Sequence, residues 1–187
     1  MAAFTAFFDA NVLYPSDLRN FLMHLALTGL FRARWSADVH EEWIRSLLEK
    51  RPDLTREKLE RTTALMDQHA RDALVTGYHE LIPALQLPDP GDCHVLAAAI
   101  RGRGDVIVTL NLRDFPVDAI APFGIEARHP DEFVLHLLDL APGLVVGAAR
   151  DHRESLKNPP KSVEQYLETL EARGLTQTAS VLRQFLF

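Results

Sequence analysis

Four acidic residues stand where a chain could use them for chemistry. Asp9 ends an apolar run in "FFDANVLYPSDLRN", and Glu42 lies in the helix-like stretch "HEEWIRSLL". Asp92 falls in "LPDPGDCHVLAAAI", and Asp114 follows a β-branched run in "IVTLNLRDFP". In open parallel sheets, active sites form at the carboxyl ends of strands, beside the helix starts. Asp9, Asp92 and Asp114 all reach that edge if the chain folds this way. Carboxylates gathered there repel one another, and a divalent cation relieves the repulsion. Mg2+ and Mn2+ are hard ions that prefer oxygen ligands. Such a site activates a water and stabilises charge on a phosphoryl group in flight.

Each acid also has a purely structural explanation. Asp92, three residues after Asp89, fits the reciprocal acid of a capping box. Glu42 fits solvated helix surface, as Glu41 beside it does, and Asp114 fits an ordinary turn. Other chemistries are worse served. "RGRGDV" lies between a helix and a strand, the reverse of a dinucleotide loop, and no P-loop is present. The eight histidines lack metal-ligand spacing, and His94 beside Cys93 reads as local packing. As a phosphate-accepting nucleophile of a haloacid-dehalogenase-like phosphatase, Asp9 would need a second aspartate where Asn11 stands. No serine or cysteine nucleophile motif occurs. The single cysteine excludes an intramolecular disulfide and a Cys-based zinc site within one chain.

The elements that must position these acids are readable in outline. "FTAFFD" predicts a short buried strand. Leu18, Phe21, Leu22, Leu25 and Leu30 predict a helix from Asp17, its cap, to about Leu30, stopped near Gly29. Ser36 caps a second helix carrying Val39, Trp43, Leu47 and Leu48, which Pro52 ends. "TREKLERTTALMDQHARDAL" predicts a third, ending before Gly77. Asp89 with Pro90 at the first helical position marks the clearest helix start, and Gly102 and Gly104 end that helix. Val106–Thr109 and "GIEAR" predict strands, and "PDEFVLHLLDLA" a helix from Pro130. Strands alternating with helices predict a parallel sheet covered on both faces. Beyond Pro142 only helices are expected, including one with a capping box from Ser162 to Gln165.

Length and composition fit one ordinary globular domain with a small appendage: 187 residues, 47% hydrophobic and 25% charged. The N-terminus has no basic residue ahead of its apolar run, a poor signal peptide. "FVLHLLDLAPGLVVGAA" is interrupted by His136, Asp139 and Pro142, a poor membrane span. A cytoplasmic protein is expected. The formal charge of −6 argues weakly against coating nucleic acid by charge alone. Sixteen of the 20 basic residues are arginine, however, whose fork grips phosphate. A local arginine rim around an acidic centre is compatible with a nucleic-acid substrate.

Taken in order, "FFDANVL", the glutamate of "HEEWIRSLL", "LPDPGDCHVLAAAI" and "IVTLNLRDFP" resemble the PIN-domain ribonucleases, and more narrowly the VapC-type toxins of toxin–antitoxin pairs. The resemblance covers about residues 4–128. It implies a three-layer α/β/α fold with a central parallel sheet over residues 1–141. Residues 142–187 look like the helical C-terminal extension of one VapC branch. Carried over, it implies Asp9 and Asp92 as principal metal ligands, Glu42 as the second acid in chain order and Asp114 as the fourth, with Asp89 as a rival acid. Asn11, Thr109 and Asn111 would support them, the first two by hydrogen bonds that orient ligand oxygens. The activity implied is hydrolysis of RNA phosphodiesters with Mg2+ or Mn2+, Arg45 and Arg113 being candidate phosphate contacts. The partners implied are an antitoxin covering the groove and a second copy of the chain. Phe21, Leu22, Leu25 and Phe31 offer apolar surface for that dimer, and core packing explains them equally. A catalytically weak PIN module that binds RNA or a protein partner is the alternative, and a small-molecule phosphohydrolase the third reading.

Overall fold

The structure is a computed structural model, and it describes residues 4–186. The first strand, β1 (Phe4–Phe8), leads through a one-turn helix, α1 (Ala10–Leu13), into α2 (Ser16–Ala26). Then come β2 (Phe31–Ser36), α3 (Ala37–Lys50), α4 (Arg56–His69) and the two-residue β3 (Leu74–Val75). After a 3-10 turn at Pro90–Asp92 follow α5 (Cys93–Arg101), β4 (Val106–Val108), α6 (Val117–Ile120) and β5 (Glu126–Arg128). Four helices complete the described chain: α7 (Pro130–Leu140), α8 (Pro142–Ser155), α9 (Val163–Ala172) and α10 (Thr176–Leu186).

All five strands run parallel in the order β3-β2-β1-β4-β5. β1 is central, with Ala6 beside Ala33 of β2 on one side and Val106 of β4 on the other. Consecutive β1 residues Thr5, Ala6, Phe7 and Phe8 are all buried, so both faces of the sheet are covered, as parallel sheets require. On one face Phe4, Phe8, Phe31 and Phe133 form an edge-to-face aromatic cluster that ties α7 to β1 and β2. The predicted α/β/α architecture is the one observed.

β2 and β3 were not anticipated from sequence. "FRARWS" is a strand of period two: Phe31, Ala33 and Trp35 are buried, while Arg32 is exposed and Arg34 half-buried. The arginines mask the apolar face. β3 has too few residues for any period to show. It is formed because Trp35 donates its backbone N–H to Ala73 at 3.0 Å. The third helix accordingly stops at His69 rather than near Gly77. The first stops at Ala26, three residues before Gly29, whose φ of 77° favours glycine.

Two further expectations are corrected. Asp17 is not the cap of α2, because Pro15 holds that place. Its carboxylate instead accepts from Arg173 Nε at 2.8 Å, joining α2 to the turn after α9. Phe21, Leu22, Leu25 and Phe31 are all buried within this one chain, so they are core and supply no surface for a second copy. The later helices pack back on the sheet domain. α8 lies on α2 and α7, and α10 lies on α7 and α9. Asp131 of α7 caps the start of α10, accepting from the Gln177 and Thr178 N–H groups at 3.0 and 2.8 Å. Among the described residues no helix is long and apolar enough to cross a membrane.

Candidate active site

β1 ends at Phe8, and Asp9 caps α1 from an extended backbone conformation. Its Oδ1 accepts from the Ala10 N–H at 2.7 Å. Its Oδ2 accepts from Asn11 Nδ2 at 2.9 Å and from the Thr109 hydroxyl at 2.8 Å. Thr109 directly follows β4, so two adjacent parallel strands deliver this pair to the carboxyl edge of the sheet. The network is fixed from outside as well. Asn11 Oδ1 accepts from the Leu110 N–H at 3.0 Å, and the Thr109 hydroxyl accepts from the Asn111 N–H at 3.1 Å. A carboxylate that is 5% exposed is thus held in one orientation by a side chain on each neighbouring element.

The remaining acids surround it. Ser36 ends β2 and caps α3, accepting from the Val39 N–H at 3.2 Å, and this start sets Asp38 and Glu42 beside the strand ends. Asp89 accepts from the Gly91 N–H at 2.8 Å and is the cap of the turn that leads into α5. Asp92 makes no cap bond, so the capping-box explanation of this residue does not hold. An open cleft of about 380 Å³ is lined by Asp38, Glu42, Arg45, Asp89, Asp92 and His94, among others. Glu42 also borders a second cleft that Asn11 enters. Asp114 ends the short turn at Leu112–Asp114, where the Asn111 side-chain amide donates to it. Arg113 lies exposed in that turn, outside the two clefts.

The charges are under strain. Burial pushes the Asp9 carboxyl up to about 6, against the lowering effect of its Thr109 and Ala10 bonds, and Glu42 adds repulsion. Asp92 is pushed up to about 7 by burial and then by the charges of Asp9, Asp114, Asp89 and Glu42. The acids singled out from sequence therefore sense one another. His94, read from sequence as packing, is part of the same group: its Nε2 stands 3.3 Å from Glu42 Oε2. Burial opposes charge on His94, yet the bond to Glu42 and the nearby Asp38 and Asp9 raise it above its ordinary value. Its position two residues after Asp92, in the first turn of α5, was the available signal.

Among the described residues, no three acidic, histidine or cysteine side chains already stand at ligand distance around one point. The donor chemistry nevertheless fits a hard divalent ion. Mg2+ keeps several waters and takes only one or two protein carboxylates, and the buried Asp9 and half-buried Asp92 are two mutually repelling acids that such an ion would relieve. The different roles of Asp89 and Asp92 give a test. Asp89→Ala removes a cap bond and is expected to lower stability by about 1 kcal/mol, leaving any hydrolysis within about tenfold, the lower end of what a supporting residue contributes. Asp92→Asn is expected to lower hydrolysis by on the order of a hundredfold with no loss of thermal midpoint. Melting curves and initial rates on the two variants check this; the reverse pattern would make Asp89 the working acid.

A family model described as PIN domain matches residues 5–113, and one described as VapC50 C-terminal domain matches residues 130–184. A curated protein of Mycobacterium tuberculosis (strain ATCC 25618 / H37Rv), named "Putative ribonuclease VapC50", is 41% identical over 98 residues. That stretch is 52% of this chain and 57% of the relative, so the match spans little more than half the length of either protein. No solved structure matches. With the PIN model covering more than half of its residues, and the second model following it, the chain belongs to the PIN-domain family and carries a VapC50-type C-terminal domain.

Proposed function

We propose that the chain is a metal-dependent endoribonuclease and the toxin of a toxin–antitoxin pair, with residues 1–141 as the nuclease unit. The observation that carries this reading is the buried Asp9, held by Asn11 and Thr109 among acids that repel one another. A protein that only bound RNA would have no use for such repulsion. The name of the curated relative agrees with the activity.

Asp9 and Asp92 would hold Mg2+ or Mn2+, with Glu42 and Asp114 as outer acids. When bound, the ion supplies an activated water and offsets charge at the phosphorus. The chain's own residues do the rest. Thr109 and Asn11 keep one Asp9 oxygen oriented, which a mobile carboxylate could not do. The Asn111 N–H holds the Thr109 hydroxyl in turn, and the Asn111 amide holds Asp114. His94 balances Glu42 so that this acid is not left bare beside Asp92. Arg45, on the rim of the cleft, offers its fork to a phosphodiester lying across the acids.

The same arrangement explains how the enzyme would be silenced in the cytoplasm. A partner's arginine entering the carboxylates satisfies them as a cation does. Purified protein is expected to cut RNA with Mg2+ or Mn2+ and to stop in EDTA. Its expression is expected to arrest growth unless the short protein of the neighbouring reading frame is made with it. Cutting that EDTA leaves untouched would end the metal reading, and growth without arrest the toxin reading.

A further inference from the structure

The opposite edge of the sheet has the opposite charge. Arg32 and Arg34 lie on β2, Arg71 precedes β3, and Arg101 and Arg103 precede β4. These five line two adjoining clefts of about 620 and 380 Å³ that share Arg34 and Asp72. Asp72 is the only acid on either wall. Of the eleven other arginines, seven have a carboxylate within ion-pair distance, such as Arg56 with Glu41 and Arg183 with Glu164. None of these five has a carboxylate partner among the described residues, and the Arg34 Nε is buried with no hydrogen bond at all. Two backbone features mark the same place. Asp72 and Arg103, at φ 64° and 52°, are the non-glycine residues in the left-handed region among the described residues, and both line the second cleft. Each such residue costs about 1 kcal/mol or more, a cost that accumulates at binding sites.

A chain of formal charge −6 with an acidic cleft at one edge repels a polyanion there. We propose that the arginine patch binds the phosphate backbone of single-stranded RNA, anchoring it on the face remote from the acidic cleft. This rests on the ribonuclease reading for its choice of polyanion. The two clefts carry no tyrosine or tryptophan, their one phenylalanine, Phe31, is buried, and His69 is the single aromatic ring open to a base, so stacking is sparse and the contact reads backbone rather than sequence. An extended acidic peptide is the competing occupant, because β3 pairs only with Trp35 and Ser36 and leaves the start of β2 open. A strand laid on that edge meets Arg32, Arg34 and Arg71 but not Arg101 and Arg103 across the second cleft. A flexible phosphodiester chain meets all five.

Fluorescence anisotropy of a labelled single-stranded RNA of about 16 nucleotides, the upper site size of one binding fold, tests this in EDTA. Binding without metal is read independently of cutting, so failure here and failure of the nuclease reading are separate results. The exposed pair R71E/R101E is expected to weaken binding at least tenfold and to flatten the salt slope by about 1.4, two phosphates' worth for a single strand. The control pair R61E/R150E makes the same change in net charge elsewhere and is expected to cost less than threefold. Equal losses in both pairs, or none in either, would overturn the proposal. So would an alternating Glu-Val peptide that binds through Arg71 while RNA affinity ignores R71E/R101E.

Discussion

Asp9→Asn is expected to remove RNA cutting by on the order of a thousandfold, the scale of losing one preorganised electrostatic group, while making the metal-free protein more stable. The two halves have one cause. Asp9 is buried among acids and its carboxyl sits near 6 instead of its ordinary 3.8, so above pH 6 its charge costs the metal-free fold about 3 kcal/mol. Asparagine keeps the size and can still accept from Ala10 N–H. Its new Nδ2 donor faces the Asn11 amide, however, and this returns part of the gain. The net expectation is about 1–3 kcal/mol, or a thermal midpoint roughly 3–10 °C higher for a chain of this size. Metal reverses the order: Mg2+ in excess should raise the wild-type midpoint and leave the variant nearly unchanged, since an ion stabilises only the fold that binds it. Undiminished cutting, or a lower midpoint without metal, would remove Asp9 from the centre of the site.

What was legible in sequence is what local chemistry encodes. Asp9 showed because an apolar strand stops on it, and the start of α5 showed because Asp89 and Pro90 carry their own geometry. Their division of labour did not show. Asp89 and Asp92 both fit a cap on paper, and only the folded turn, with Asp89 bonded to Gly91, shows that Asp92 is left without a cap bond. β2 was hidden by its arginines, and those arginines form the patch opposite the acids. His94 was hidden because its partner, Glu42, lies on another helix, and no local pattern announces a tertiary pair. Apolar positions behaved likewise: Phe21, Leu22 and Leu25 could face a partner or the core until α8 is seen packed over α2.

That packing has an acid-sensitive point, and stability is expected to fall by about 3 kcal/mol as pH drops from about 6.5 towards 4 at His152 of α8. The ring stacks on Phe21 of α2 and meets the Tyr166 hydroxyl of α9 at 3.0 Å. Its Nε2 is buried without a partner. A neutral ring has one N–H and Tyr166 answers one nitrogen, but the imidazolium carries two N–H groups into a space with one acceptor. Burial therefore lowers its pKa to about 4, helped by His24 and Lys161 and opposed by Asp17. Because the folded value lies below the unfolded one, the contribution is complete above about 6.5. It is lost as the unfolded chain takes up the proton, at about 1.4 kcal/mol per pH unit. Asp9 and Asp92, with raised values, change in the other direction, so the wild-type curve alone mixes both signs. His152→Gln separates them: it keeps a partner for Tyr166 and cannot titrate. Urea midpoints between pH 7 and 4.5 should converge, the wild type starting higher and losing more. Parallel curves would show that His152 titrates as it does in the unfolded chain. Hydrogen exchange should locate the loss in α8 and α9 first, because α8 carries the ring and α9 carries its Tyr166 partner.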